Sequence, residues 1–231
     1  MSDKYKIVGP LYDIMSSIYS LGAISDCKKT IIDQITPGQT VLFAGAGHGE
    51  DAIEACLKGA DVTVVELSLT MADQLATQFR NKLANSKVIT DAYTVGKMEI
   101  IVNDIFDHKV TQYDFVVANF FLNVFDKHMM EKMLAHLTDM VKEDTGTMVV
   151  GDFKYPTGNI ITRTLQNIYW FLADLFFVIF SGNSCHKLYD YRAYLSDHGF
   201  VEQKEYLYSF MGIGYEAIVA NRVGPRLNDK E

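Results

Sequence analysis

The chain has 231 residues, 48% of them hydrophobic, and a net charge of −8. That length suits one domain with ample core, and a charged fraction of 22% excludes extended disorder. The acidic balance argues against nucleic-acid partners, because neutralising phosphates needs clustered Lys and Arg. Cys27, Cys56 and Cys185 are far apart, with neither disulfide nor zinc spacing. They lead us to expect reduced thiols, no metal and a cytoplasmic location. The start, Met1 to Lys6, is polar, and no apolar signal core follows it.

Residues 5–36 read as helical. Tyr12, Met15, Ile18 and Tyr19 recur at spacings of three and four and form one apolar face. Gly22 interrupts that pattern. Ser25 is the expected cap of a second helix running through Ile35, and Thr36, Pro37 and Gly38 form a turn.

From 40 to 152, strand and helix patterns alternate. Strands are expected near 40–44, 61–66, 98–102, 113–118 and 146–152, helices near 50–58, 69–84 and 127–142, and a polar surface connection over 85–97. This alternation predicts a parallel sheet with helices on both faces and ligands bound outside the carboxyl ends of the strands. The first strand runs into Gly45, Gly47 and Gly49, then into a helix that opens with Glu50 and Asp51. A strand that turns through glycines into a helix is a nucleotide-binding device, since glycine permits positive φ and lets a ligand approach the backbone. The spacing here is G-x-G-x-G, unlike the G-x-G-x-x-G of a dinucleotide site, and the Lys of a P-loop is absent. Two carboxylates at the helix start also repel a pyrophosphate, so the turn suits a ligand without phosphates.

The second strand ends in Glu66, a carboxylate placed to accept from both hydroxyls of a ribose. The third leads into Asn103 and Asp104, whose polar groups suit an adenine edge. The fourth ends in a segment with three phenylalanines and two asparagines, Asn119 and Asn123. No His, Lys or acid follows until Asp126, and His128 reads as a solvated residue at a helix start. Gly151, Asp152 and Tyr155 follow the fifth strand.

Residues 168–180 are the most hydrophobic stretch. As a helix they span about 20 Å, short of a bilayer core, and Asp174 interrupts them. We expect this helix to cover the active site and not to cross a membrane; a homodimer contact or a membrane-surface element are its other uses. A short helix stopped by Gly199 comes next, then strands over 201–210 and 215–221, and a polar tail.

Gly45, Gly47, Gly49, Glu66 and the Asn103-Asp104 pair together resemble class I S-adenosylmethionine-dependent methyltransferases, most closely the ubiquinone/menaquinone C-methyltransferase-like group. The resemblance runs from Tyr12 to Val219. It implies an α/β, Rossmann-like fold with a seven-stranded, mostly parallel sheet, an antiparallel last strand and a helical cover. The whole chain, 1–231, is then one domain, with 1–36 as the cover and 156–190 as a hydrophobic helical insertion. The implied cofactor is S-adenosyl-L-methionine, with the glycine turn at its methionine part, Glu66 at the ribose and Asp104 at the adenine. Phe43, Leu67, Ile105, Asn119, Tyr12 and Tyr19 are further expected cofactor contacts. Asn119, Asn123 and Tyr155 are the polar groups expected at the reacting end, facing a small or apolar acceptor.

One position departs from the family. Most members carry an acid two residues before the first glycine, where it receives the cofactor's ammonium group; this chain has Phe43. Glu50, Asp51 and Asp152 are the acids available to replace it, though none occupies the same place. An apolar ring beside an amine favours its neutral form, and an α-amino group already titrates near about 7.7–8.0. The alternative to methyl transfer is therefore attack by that amine on its own carbon chain, giving azetidine-2-carboxylate and methylthioadenosine with no second substrate. A non-catalytic nucleotide binder or an NAD-dependent protein is the remaining reading.

Overall fold

The structure is a computed structural model that describes residues 22–85, 95–181, 187–210 and 213–223. Tyr12, Tyr19, Cys185 and most of the expected N-terminal cover lie outside the described residues. Within them the elements are α1 (Ala23–Lys28), β1 (Thr40–Ala44), α2 (Glu50–Leu57), β2 (Asp61–Glu66), α3 (Leu69–Asn85), β3 (Met98–Val102) and β4 (Phe115–Asn119). These are followed by α4 (Lys127–Asp139), β5 (Thr147–Phe153), α5 (Ile160–Ser181), α6 (Tyr191–Asp197), β6 (Phe200–Phe210) and β7 (Ile213–Arg222).

The seven strands form one sheet in the order β3-β2-β1-β4-β5-β7-β6. The first five pair in parallel, and β7 runs antiparallel to both β5 and β6. The strand order reverses at β1 and β4, which places the crevice of the sheet at their carboxyl ends. Alternate residues of β1 feed two cores. Leu42 and Ala44 join a cluster with Met130, Leu134 and Leu137 of α4 and Leu195 of α6. Val41 and Phe43 join a cluster with Ile53 of α2, Leu75 of α3 and Val64 of β2. A third cluster, with Cys27, Phe153, Trp170 and Tyr215, lies where α1 and α5 meet the β5–β7 end.

Two expectations need correction. The helix expected from Ser25 through Ile35 is broken: α1 starts after Gly22, in left-handed conformation at φ 90°, and ends at Lys28, with a separate 3-10 turn over Ile32–Gln34. Ser25 lies inside α1 and is not its cap. The hydrophobic helix is longer than residues 168–180, running from Ile160 to Ser181. Trp170 packs on Phe153 with ring centroids 4.8 Å apart, and buried Gln166 bonds the carbonyls of Lys154 and Gly214. Ile160, Ile161, Leu165, Ile168 and Leu172 are exposed. Among the described residues no helix is long and apolar enough to cross a membrane.

Candidate active site

The glycine turn begins where β1 ends. Gly45, Gly47 and Gly49 hold φ of 61°, 58° and 63°, the left-handed region that L side chains rarely adopt. Space decides as well as torsion. A Cβ on Gly45 would enter the Phe121 ring, and one on Gly49 would enter the Leu75 side chain. The Gly45 N–H donates to the Val65 carbonyl at 2.9 Å, so the turn leaves the sheet still tied to β2.

Glu66 closes that tie. It is buried at the end of β2, where Oε2 accepts from the Gly47 N–H at 3.1 Å and Oε1 from the Ser68 N–H at 2.9 Å. The β2–β3 register sets Glu66 beside Val102, and Asp104 follows two residues on. Asp104 is exposed; its Oδ1 accepts from the Phe106 N–H at 3.0 Å and caps a 3-10 turn over Ile105–Asp107. Ile105 is buried in the α4-side core, while Leu67 is 65% exposed beside Glu66.

Phe43 does not face this crevice. Its side chain is 1% exposed and belongs to the α2-side core. The acids are elsewhere. Asp51, in the first turn of α2, is turned inward and accepts from Asn119 Nδ2 at 2.8 Å. The same Nδ2 donates to the Lys28 carbonyl at 3.1 Å, so Asn119 joins the end of β4 to both α1 and α2. Burial raises the Asp51 carboxyl above its usual range, and the Lys28 cation works in the opposite direction.

The phenylalanines after Asn119 part company. Phe120, at φ 52°, is a non-glycine residue in the left-handed region, a strain that persists only where the surroundings hold it. Its N–H donates to the Gly151 carbonyl at 2.7 Å, and its ring meets Phe153 and Tyr215 edge-on. Phe121 lies over Gly45, half-buried, and stacks edge-on with Phe125.

On the opposite face of the sheet Asp152 is fully enclosed. Its Oδ1 accepts from Asn123 Nδ2 at 2.8 Å and from the Phe153 N–H, and its Oδ2 accepts from the Tyr191 hydroxyl. Burial pushes its carboxyl up to about 7. Glu216 sits opposite Asp152 in the β5–β7 register and is gripped by Arg192 through two bonds. Tyr155 meets the same Glu216 through its backbone N–H at 3.1 Å. Here a cavity of about 280 Å³ opens, lined by Lys154, Tyr155, Asp190, Arg192, Glu205 and Glu216 among others. His128 is exposed at the start of α4.

The structure thus gathers Gly45, Gly47, Gly49 and Glu66, with Asp104 two residues past the strand next to Glu66. It binds Asn119 and Asn123 to carboxylates. Sequence reasoning did not single out Asp51 as a buried acid, nor Tyr191 as the partner of Asp152; an acid at a helix start reads as solvated, and nothing local marks either pairing.

No protein-family model matches the chain, and no curated protein matches it in sequence. Solved structures do match. A magnesium protoporphyrin IX methyltransferase from Synechocystis PCC 6803, with bound S-adenosylhomocysteine, is 19% identical over 88% of this chain and 83% of its own, with a TM-score of 0.59. An S-adenosylmethionine-dependent methyltransferase from Clostridium acetobutylicum ATCC 824 is 11% identical over 95% and 100%, at 0.63. One from Methanosarcina mazei is 19% identical over 84% and 97%, at 0.60. The chain has the class I methyltransferase fold. Its seven-stranded, mostly parallel sheet with an antiparallel β7 is the one the resemblance implies.

Proposed function

We propose that this protein binds S-adenosyl-L-methionine at the glycine turn and transfers its methyl group to a small or apolar acceptor. One observation carries the reading: the buried Glu66 carboxylate is bonded to the backbone of the glycine turn itself, at the carboxyl end of β2. Carboxylate oxygens hold about two lone pairs each and accept hydroxyl donors such as those of a ribose. Glu66, Asp51 and Asp104 give the crevice an acidic character. It suits a ligand with hydroxyls and positive charge and disfavours the pyrophosphate of NAD.

When bound, the cofactor supplies an electrophilic methyl on a sulfonium. This chain's residues position and shield it. The half-buried Phe121 ring over Gly45 offers an aromatic face to a cation and excludes water. Asn119 and Asn123 act through the carboxylates they hold, Asp51 and Asp152. Alignment of acceptor and methyl supplies much of the rate in such a transfer. Cyclisation to azetidine-2-carboxylate rested on an apolar Phe43 face toward the amine. That ring packs in the core, which favours methyl transfer of the two.

Thermal unfolding with ligands tests the cofactor. Adenosylmethionine or adenosylhomocysteine should raise the Tm by mass action, and NAD and ATP should not. Mass analysis of products tests the reaction. Adenosylhomocysteine appearing only with added acceptor supports methyl transfer; methylthioadenosine appearing from adenosylmethionine alone, above background, would replace that reading with cyclisation.

A further inference from the structure

Asp51 is placed where an acid is ordinarily solvated. At a helix start the dipole favours negative charge, and water leaves it fully hydrated. Glu50, one residue earlier, is exposed and near Lys29. Asp51 is instead 2% exposed. Among the described residues its Oδ1 accepts from the Ala52 N–H at 3.1 Å and its Oδ2 from Asn119 at 2.8 Å. A carboxylate has about four acceptor positions, so its capacity is half used.

A second observation concerns Asn119. It is 8% exposed, and among the described residues its enclosed Oδ1 has no hydrogen-bond partner. Its orientation is fixed, because turning the amide over would set that oxygen against the Asp51 carboxylate and the Lys28 carbonyl. Room for the oxygen exists because residue 151 is glycine: a Cβ there would lie 2.5 Å from Oδ1. Buried acceptors in native proteins are nearly always paired. Two under-used acceptors on adjoining side chains, both between the glycine turn and the end of β4, call for a donor with several N–H groups and a positive charge.

We propose that Asp51, oriented by Asn119, receives the ammonium group at the amino-acid end of the bound cofactor, the role for which Phe43 offers no polar atom. The assignment rests on the cofactor reading above. An ammonium brings three donors and a positive charge beside that of Lys28 to the buried carboxylate. Asp51 is then a binding residue, and Asn119 and Gly151 position it.

Calorimetric binding of three ligands at neutral pH tests this. They are adenosylhomocysteine, its analogue carrying a butyrate chain without the amine, and methylthioadenosine, which lacks the whole amino-acid end. Wild type should prefer adenosylhomocysteine over the amine-free analogue by about tenfold or more, the scale of a charge-assisted bond. In Asp51→Asn that preference should vanish while methylthioadenosine binds as before. Gly151→Ala displaces Asn119 but leaves the Asp51 charge, and should lose part of the preference. Equal weakening of all three ligands in Asp51→Asn, or an intact preference, overturns the assignment. A wild type that binds both amino-acid ligands equally refutes the ammonium site alone; one that binds none of the three refutes the cofactor reading with it.

Discussion

Tyr191 donates its hydroxyl to Asp152 Oδ2 across 2.6 Å, and both side chains are buried. Asp152 is held up to about 7 by burial, with Glu216 adding to the rise and the bonds from Tyr191, Phe153 and Asn123 opposing it. An acid whose folded pKa lies above its ordinary 3.8 stabilises the fold in its protonated form. That contribution is fully present below about pH 4 and is lost as pH rises through about 7. Denaturant titrations across this range should show wild type losing a few kcal/mol relative to Asp152→Asn, on the scale of a carboxyl displaced that far. A constant difference between the two proteins would show that Asp152 keeps its ordinary pKa.

Arg192 supports the neighbouring acid. Its guanidinium bonds both oxygens of Glu216, which is 2% exposed, and also reaches Glu202 and Glu205. Removing it strands a buried charge, the costly way to break such a pair. Arg192→Met should therefore lower stability by about 3 kcal/mol, and adding Glu216→Gln should recover part of the loss. Urea titrations of the two single variants and the double variant measure this coupling.

Much of the frame was legible in the chain. The apolar runs ending in Gly45, Glu66 and Asn103 give β1, β2 and β3 with the bounds expected, because an apolar run flanked by polar or glycine residues has sharp edges. The α1 region was not legible: Gly22 starts a helix in left-handed conformation, and no side chain marks the stop at Lys28. The direction of Phe43 was hidden for a different reason. A strand apolar on both faces does not say which face a residue takes, and only the packing of α2 and α3 settles it. The Asp51–Asn119 bond joins residues 68 apart, and a pairing of that kind has no local signature.

Phe43 itself gives the third prediction. Introducing the family's acid at this position places a carboxylate in a cluster with Ile31, Val64 and Val117. The variant loses a large core side chain and buries a charge. Phe43→Asp should cost more than about 3 kcal/mol, whereas Phe43→Leu, which keeps the site apolar, should cost about 1 kcal/mol. Adenosylhomocysteine binding should survive in Phe43→Leu. Equal stability of Phe43→Asp and wild type would mean that the ring can leave the core.

Glu66 offers the last test, and a contrast with Asp51. Both Glu66 oxygens accept backbone N–H groups, from Gly47 and from Ser68. A glutamine in its place presents one NH2, and whichever way the amide turns, that NH2 faces a backbone donor. Glu66→Gln should therefore behave nearly as badly as Glu66→Ala, each losing about 1–2 kcal/mol of stability as an N–H is left unpaired. The ligand pattern separates the two acids. Glu66 is assigned to the ribose, which adenosylhomocysteine and methylthioadenosine share, so its variants should weaken both by about tenfold or more. Asp51→Asn should weaken adenosylhomocysteine and spare methylthioadenosine. If Glu66→Ala binds methylthioadenosine as tightly as wild type does, the carboxyl end of β2 is not the ribose site, and the orientation of the cofactor in the crevice must be reassigned.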